Sequence, residues 1–253
     1  MSAQLTPACQ QGLTLLELLV AMFLTSVLLL GLVKLDTAAS AATRLQDNQA
    51  LLQDQARVAL RLLTPAVSQA GYSPEPWNPT YLIEAIAGGT ADGVSSHGDR
   101  LVLRGWSDRN CFDNRNPETG GDGKPLFYLR EQAFDLNSTG HLARSCRYGP
   151  TEASLVTQVS RQGLVPGVES FQLLFGEDSD ADGNVDRWVQ AGNWTDEKQL
   201  LGVRAGLLLA GLDPVTEPRS LTYQLLDTSR RPRADGRLRQ SFDMILAIRG
   251  RNG

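Results

Sequence analysis

The sequence has little of what enzymes and nucleic-acid-binding proteins usually show. Only two histidines occur, His97 and His141, both in polar stretches typical of turns. No serine-hydrolase, zinc-protease or phosphate-loop motif is present. Lysine is nearly absent, arginine is scattered, and the formal net charge is −4, so the sequence indicates no basic face for nucleic acid. We therefore expect neither an enzyme nor a nucleic-acid partner.

Cysteine is also scarce, with Cys9, Cys111 and Cys146 the only three. C-x₂-C spacing is missing, which argues against a zinc site. Because Cys9 precedes a long apolar run, we expect it to be lost with a leader, leaving Cys111 and Cys146 to pair. Their bridge would close a loop of about 36 residues, would stabilise the fold by about 4 kcal/mol on the loop-entropy model, and implies an oxidising compartment. The alternative is two unpaired cysteines.

An apolar run covers residues 13–33 and is long enough to cross a membrane as a helix. A cleaved secretory signal is the alternative, but it would have a shorter apolar region and a small-residue cleavage site. The first twelve residues hold no lysine or arginine. The positive-inside rule therefore does not orient this segment.

Helical periodicity continues beyond the apolar run. The sequence has no proline between Lys34 and Pro65, and Gly71 and Pro74 then stop the pattern. We expect one helix from about residue 13 to about residue 70, with a kink near Pro65. Its second half presents a single apolar face, formed by Leu45, Leu52, Ala56, Ala59, Leu63, Val67 and Ala70.

The segment that begins with Gly12 and continues "LTLLELLVA" resembles the N-terminal motif of type IV pilins and pseudopilins. Gly12, Thr14, Leu15 and Glu17 match the family pattern, whereas Leu13 replaces the usual phenylalanine and the leader lacks the usual basic residues. The resemblance implies cleavage after Gly12 by a prepilin peptidase and methylation of the new N-terminus at Leu13. It also implies that the Glu17 carboxylate meets the α-amine of a neighbouring subunit in a fibre.

Three further stretches look like PilW-type minor pilins: "ARVALRLLTPAVSQAGY", "DRLVLRGWSDRNC" and "LRQSFDMILAIRGRNG". The resemblance implies a single-pass protein of the inner membrane of a Gram-negative bacterium, with a periplasmic body that also enters a pilus fibre. The implied partners are other minor and major pilins, the prepilin peptidase and the inner-membrane assembly platform. The expected organisation is a leader at 1–12, a transmembrane half-helix at 13–35, an amphipathic half-helix at 36–71 and a β-rich domain at 72–253.

The body after Gly71 contains short apolar runs between turn signals, which predict strands. The segment 198–211, "KQLLGVRAGLLLAG", also fits a helix, and periodicity alone does not separate the two. We expect an α+β fold in which the long N-terminal helix packs on an antiparallel sheet. The predicted strands are 100–106, 126–131, 153–160, 168–176, 187–192, 203–211, 220–227 and 242–250.

The acidic segment 177–188, "EDSDADGNVDRW", is spaced like a calcium-binding loop. Gly183 falls where such a loop turns sharply, but Val189 stands where the bidentate carboxylate belongs, so Glu177 or a distant loop would have to replace it. The alternative is a solvated acidic turn between two strands. The candidate Ca²⁺ ligands are Asp178, Asp180, Asp182, Asn184 (through its backbone carbonyl) and Asp186.

Three functions compete. The first is a minor type IV pilin that assembles through its helix or primes pilus assembly, in a pilus for adhesion, motility or uptake. The second is a J-type minor pseudopilin of a type II secretion system, which shares the same processing motif. The third is a membrane-anchored periplasmic binding protein or enzyme that never assembles, and it predicts an uncut bond after Gly12. The "GY" after the helix and the acidic loop favour the pilus.

Overall fold

The computed structural model describes residues 14–95, 98–121 and 123–251 of the chain. They fall into two compact units, Met1–Gln46 and Asp47–Gly253. Helix α1, Leu15–Ser68, has 54 residues and contributes to both. The expected helix is therefore confirmed to within two residues at each end, and it continues past Pro65 to Ser68.

Between Leu18 and Val33, in the first unit, α1 is apolar on all sides apart from Thr25 and Ser26. It is long and apolar enough to cross a membrane, with a mean hydropathy of 2.5 over its best 18-residue window and none of that window buried. The few hydroxyl groups bond to the helix backbone: Thr25 Oγ1 donates to the Ala21 carbonyl and Ser26 Oγ to the Met22 carbonyl, each at 2.7 Å. Such internal pairing is what a hydrocarbon environment requires of polar groups.

In the second unit, one face of α1 forms part of the hydrophobic core. Six of the seven residues that the periodicity assigned to this face are buried, whereas Leu45 is only partly covered. These side chains pack with Phe134, Phe171 and Phe175 of the sheet. The buried helical residues are Leu52, Gln55, Ala56, Ala59, Leu63, Ala66 and Val67.

The end of α1 is fastened to the sheet by close backbone contacts. Gly71 has a φ of 77°, a left-handed conformation that favours glycine and ends the helix. Its amide donates to the Arg104 carbonyl at 2.7 Å, and the Trp106 amide donates to the Tyr72 carbonyl at 2.9 Å. A Cβ at Gly105 would lie 2.6 Å from the Gln69 carbonyl oxygen, so only glycine permits this approach.

Eleven strands follow within the described residues. They are β1 (Ala91–Ser95), β2 (Gly98–Ser107), β3 (Tyr128–Leu136), β4 (Leu142–Gly149), β5 (Val156–Val165), β6 (Val168–Glu177), β7 (Arg187–Val189), β8 (Leu200–Pro214), β9 (Tyr223–Leu225), β10 (Thr228–Arg230) and β11 (Arg237–Ala247). Three short 3₁₀ turns lie at Pro79–Tyr81, Glu152–Ser154 and Glu197–Gln199.

The main sheet has nine strands in the order β11-β8-β6-β2-β3-β4-β5, with β1 paired to β2 and β7 to β6. All of these pairs are antiparallel except β2 with β6, which meet in parallel through Gly98 and Phe171. The strands β9 and β10 form a separate hairpin. The predicted α+β architecture, a long helix with a mostly antiparallel sheet, is therefore confirmed.

Several strand boundaries differ from the sequence prediction. Segment 198–211 does not form an α-helix: from Leu200 onward it is strand β8, which pairs on both sides and is buried on both faces, and Lys198 and Gln199 belong to a 3₁₀ turn. Strand β4 was missed because "LARSCRYG" interrupts its apolar residues with arginines that the strand nevertheless accommodates. The predicted run at 220–227 forms only the three residues of β9.

The disulfide between Cys111 and Cys146 is present, with the two Cα atoms 5.8 Å apart. Both cysteines are buried in a small cluster with Tyr148 and Val159, beside Tyr128. The bond joins the long connection after β2 to the middle of β4. It therefore holds down a segment that has little regular structure of its own.

We predict that Leu63→Ala lowers the free energy of unfolding of the second unit by about 2–5 kcal/mol, because it leaves a cavity in the core under α1. Leu60→Ala is the matched control: Leu63 is fully buried, whereas Leu60, one turn earlier in the same helix, is 41% exposed. Chemical denaturation of the full chain in non-ionic detergent measures both. Equal losses for the two variants would contradict the assigned packing face.

Candidate functional site

Glu17 lies in the first turn of α1, followed by an almost purely apolar stretch. Thr14 is the residue just before the helix, and its side chain and backbone engage Glu17 reciprocally. The Thr14 amide and hydroxyl donate to Glu17 Oε2 at 3.0 and 3.1 Å, and the Glu17 amide donates to Thr14 Oγ1 at 3.3 Å. This reciprocal arrangement is a capping box, which satisfies amide groups at a helix start.

The capping box explains how a carboxylate is held at this place. A negative charge in the first helical turn interacts favourably with the positive end of the helix dipole. Both hydrogen bonds to the carboxylate use Oε2, and the side chain lies among exposed residues. The carboxylate is thus oriented by its own chain while it remains accessible to a cation from outside. Gly12 and Leu13, the predicted processing residues, lie outside the described residues.

The acidic loop connects β6 to β7, as expected for strands on both sides. Asp178 is buried at the end of β6, and its carboxylate accepts the amides of Asp182 (3.1 Å) and Gly183 (2.8 Å). Ala181 and Gly183 have left-handed backbones, with φ of 62° and 88°. These two positions fold the chain tightly around the Asp178 carboxylate.

Three of the predicted cation ligands converge. Carboxylate oxygens of Asp178, Asp180 and Asp186 all lie within 4.8 Å of one another. Asp182 is not part of this group, because its carboxylate accepts the Asn184 amide at 2.7 Å and the Asn184 side-chain amide at 3.1 Å. The loop thus brings together three of the four predicted carboxylates. The fourth, that of Asp182, instead bonds to Asn184 within the loop.

Glu177 does not replace the missing twelfth ligand. Its side chain is fully buried, where Oε1 accepts the Thr195 amide at 2.6 Å and Oε2 accepts Arg187 Nε at 2.9 Å. Burial alone would raise the pKa of Glu177, but the hydrogen bonds from Thr195 and Arg187 outweigh it and lower that pKa. Glu177 is therefore a buried, ionised carboxylate whose bonds to Thr195 and Arg187 hold the start of the acidic loop in place.

The carboxylates of the acidic loop repel one another. The Asp182 amide lowers the pKa of Asp180, yet repulsion from the carboxylates of Asp182 and Asp186 raises it more. By contrast, the hydroxyl and amide of Ser179, at 2.6 and 2.7 Å, lower the pKa of Asp186. A divalent cation among the three converging carboxylates would relieve their repulsion.

Sequence reasoning missed one charged feature. Arginines that seem scattered along the chain meet on one groove of the second unit. A local signal was present, since five of the ten residues from 230 to 239 are arginine. The other two groove arginines, Arg100 and Arg161, come from distant strands, and their convergence depends on the sheet order.

Comparison with known families gives two matches. Residues 7–33 match the prokaryotic N-terminal methylation motif, and residues 135–250 match the family described as type IV pilus-assembly protein W. The second match covers the region from the end of β3 through β11, including the acidic loop and the arginine groove's 230–239 segment. Of the three PilW-like stretches identified in the sequence, it includes almost all of the last one and neither of the first two.

A type IV-like pilin from Thermus thermophilus is similar in structure, with a TM-score of 0.49 and 19% sequence identity. The similarity covers 79% of this chain and 96% of that one. No curated protein sequence matches the chain.

The family matches agree with features seen in the structure. The methylation motif coincides with the capped start of α1 and its exposed apolar stretch. The pilus-assembly domain coincides with most of the sheet. The chain therefore carries the prokaryotic N-terminal methylation motif and, over residues 135–250, a region that is similar to the type IV pilus-assembly protein W family.

Proposed function

We propose that this chain is a minor pilin that is cleaved after Gly12, methylated at Leu13 and inserted into a type IV pilus through α1, where it helps to prime assembly. One observation carries the proposal: a capped, accessible carboxylate begins a helix whose next four turns are apolar on almost all sides. Such a helix would expose its apolar surface to water in a soluble domain, whereas a fibre core of bundled helices would bury it.

Glu17 would set the register of the fibre. Cleavage would free the α-amine of Leu13, and the Glu17 carboxylate of one subunit would meet that amine on its neighbour. Two unit charges about 4 Å apart attract by about 4 kcal/mol at an effective dielectric constant of 20, before the cost of desolvation. Within a uniform apolar bundle, one such pair specifies axial position, much as a single polar residue does in a coiled coil.

The same helix supports a location and a set of partners. Before assembly, α1 would anchor the precursor in the inner membrane of a Gram-negative bacterium, with the second unit in the periplasm. The Cys111–Cys146 disulfide supports that side of the membrane, because the periplasm is oxidising. The partners would be the prepilin peptidase, the assembly platform, and other minor and major pilins.

The pilus is favoured over a type II secretion pseudopilus because the body matches the pilus-assembly protein W family. We assign the protein a structural rather than an enzymatic role. Two described carboxylates with lowered pKa values are consistent with this role, since Glu177 and Asp235 are bound to arginines and backbone amides. A membrane-anchored enzyme or binding protein that does not assemble would be revealed by an uncut N-terminus.

We propose further that the acidic loop binds Ca²⁺ through Asp178, Asp180 and Asp186, with the Asn184 carbonyl nearby in the chain. The convergence of the three carboxylates and their mutual repulsion support this proposal. Asp182 would have to leave its bonds to Asn184 in order to join the site. The lack of a bidentate ligand at Val189 points to weak binding, in the 10⁻⁴–10⁻³ M range of extracellular modules.

We predict that the mature protein begins at Leu13 with a methylated amine, as measured by mass spectrometry of protein from cells with an active prepilin peptidase. Gly12→Arg should leave an uncut precursor in the membrane fraction, because the peptidase needs a small residue at this position. An intact Met1 terminus on the unaltered protein would contradict the pilin assignment.

We predict that Glu17→Val still inserts into the membrane, because it removes a charge that costs a few kcal/mol in hydrocarbon, but is incorporated into fibres at least about tenfold less. Immunoblots of sheared fibres against membranes measure the ratio. Thr14→Ala is the control, since it weakens the capping box and retains the carboxylate. Equal loss in both variants would show that Glu17 serves only the helix start.

We predict that Ca²⁺ stabilises the full chain in non-ionic detergent, by about 1.4 kcal/mol when its concentration is ten times the dissociation constant. Isothermal calorimetry and thermal unfolding measure the effect. An Asp180→Ala, Asp182→Ala variant should lose it, whereas Asp213→Ala, an exposed carboxylate beyond the loop, should retain it. Absence of both heat and a thermal shift up to millimolar Ca²⁺ would refute the site.

A further inference from the structure

A groove of about 1050 Å³ in the second unit is lined by arginines from several elements. Arg100 comes from β2 and Arg161 from β5, and the others come from the connection between β10 and β11 and from β11 itself. The chain as a whole has a net charge of −4, so this cluster of positive charge is a local feature of opposite sign. The seven arginines are Arg100, Arg161, Arg230, Arg231, Arg233, Arg237 and Arg239.

Two of the arginines form a rigid base. Arg239 Nε lies 2.7 Å from Glu169 Oε2 and its Nη1 lies 2.7 Å from Asp235 Oδ1. Arg237 contacts the same two carboxylates, with its Nε 2.9 Å from Asp235 Oδ2. The arginines lower the pKa of Asp235, and the carboxylates raise the pKa of Arg239. These four groups neutralise one another and hold the groove wall in place.

Three arginines are not neutralised in this way. Among the residues that the structure describes, no carboxylate forms an ion pair with Arg100, Arg231 or Arg233. Arg100 Nε is buried and has no hydrogen-bond partner there. Arg231 Nε donates to the neutral Ser220 hydroxyl at 2.7 Å, and Arg233 is exposed. Together these three arginines bring positive charge to the groove that no carboxylate of the described residues pairs with.

The remaining groove carboxylates are occupied. Asp135 accepts Arg161 Nε at 3.2 Å. Asp99 is buried and accepts the amides of Gly93 (2.9 Å) and Leu173 (2.8 Å). Burial, reinforced by the nearby Asp92, raises the pKa of Asp99 to about 7, so its negative charge is reduced near neutral pH. The groove therefore holds seven guanidinium groups against four carboxylates, of which one is partly neutral.

The side chains that line the groove also indicate which class of anion it binds. It contains no aromatic side chain among the described residues, so it offers no platform for stacked bases of single-stranded nucleic acid. A duplex is a stiff rod that is bound over a broad surface rather than inside a pocket-sized groove. Ser138 and Ser229 instead supply hydroxyl groups, which suit the hydroxyls of sugars. Asn137 adds only its side-chain NH₂ group, because its Oδ1 already accepts bonds from Thr139 and His141.

From these features we infer that the groove binds an acidic saccharide, a short run of sugars that carry carboxylate or phosphate groups. Arg100, Arg231 and Arg233 engage the acidic groups, since the planar guanidinium pairs with carboxylate and phosphate through two hydrogen bonds. The amide and hydroxyl groups of the lining bind the sugar hydroxyls. This ligand contact belongs to the body of the protein and is independent of assembly through α1.

The test is calorimetric titration of the full chain in non-ionic detergent, at low salt, with an oligogalacturonate of about eight sugars. The unaltered protein should bind, and a neutral malto-oligosaccharide of equal length should not. The Arg100→Gln, Arg233→Gln variant should bind at least about tenfold more weakly, because each substitution removes charged hydrogen bonds. Arg57→Gln is the control, since Arg57 is an exposed arginine of α1 paired with Asp54.

The substitution at Arg100 removes a partly buried group, so thermal unfolding is measured for each variant. If the double variant is unfolded, Arg233→Gln alone decides, because Arg233 is exposed and should still weaken binding by several fold. Equal affinity of all variants, or no binding up to millimolar oligosaccharide, would overturn the proposal. Tighter binding of a DNA duplex or of an acidic peptide of matched charge would also overturn it.

Discussion

A single carboxylate at the start of an apolar helix is the constraint on which the rest of this molecule depends. Glu17 lies where the helix dipole favours a negative charge, and the capping box with Thr14 fixes its orientation. The carboxylate therefore serves the fold of its own chain before any neighbour arrives. Its accessibility and the apolar surface that follows are the two features on which the proposed assembly role of the helix rests.

The second half of the same helix builds the body. Its buried face supplies small residues, Ala56, Ala59 and Ala66, interspersed with Leu52 and Leu63, so the sheet approaches closely and fills the gaps with phenylalanines. Where the helix ends, Gly71 and Gly105 permit backbone contact between two elements that side chains would separate. One helix thus combines an exposed apolar half with a half that forms part of the core.

The sequence predicted local features well and distant convergence poorly. The buried face of helix α1 follows from its periodicity, and the end of the helix follows from the glycine and proline after it. The Cys111–Cys146 pair follows from the small number of cysteines. Strand β8 was ambiguous because a strand buried on both faces lacks alternation. The turn of Asp182 toward Asn184, the burial of Glu177, and the meeting of Arg100 with residues 230–239 depend on tertiary structure, which no spacing in the sequence encodes.

The attachment of the helix end to the middle of the sheet has a mechanical consequence. Gly71 and Tyr72 bond to β2, and the Arg249 amide just after β11 donates to the Ser68 carbonyl at 3.2 Å. A pulling force transmitted along α1 therefore enters an interior strand and the chain's final segment at once. The load is thus divided between the interior strand β2 and the edge strand β11, and does not act on one edge of the sheet alone.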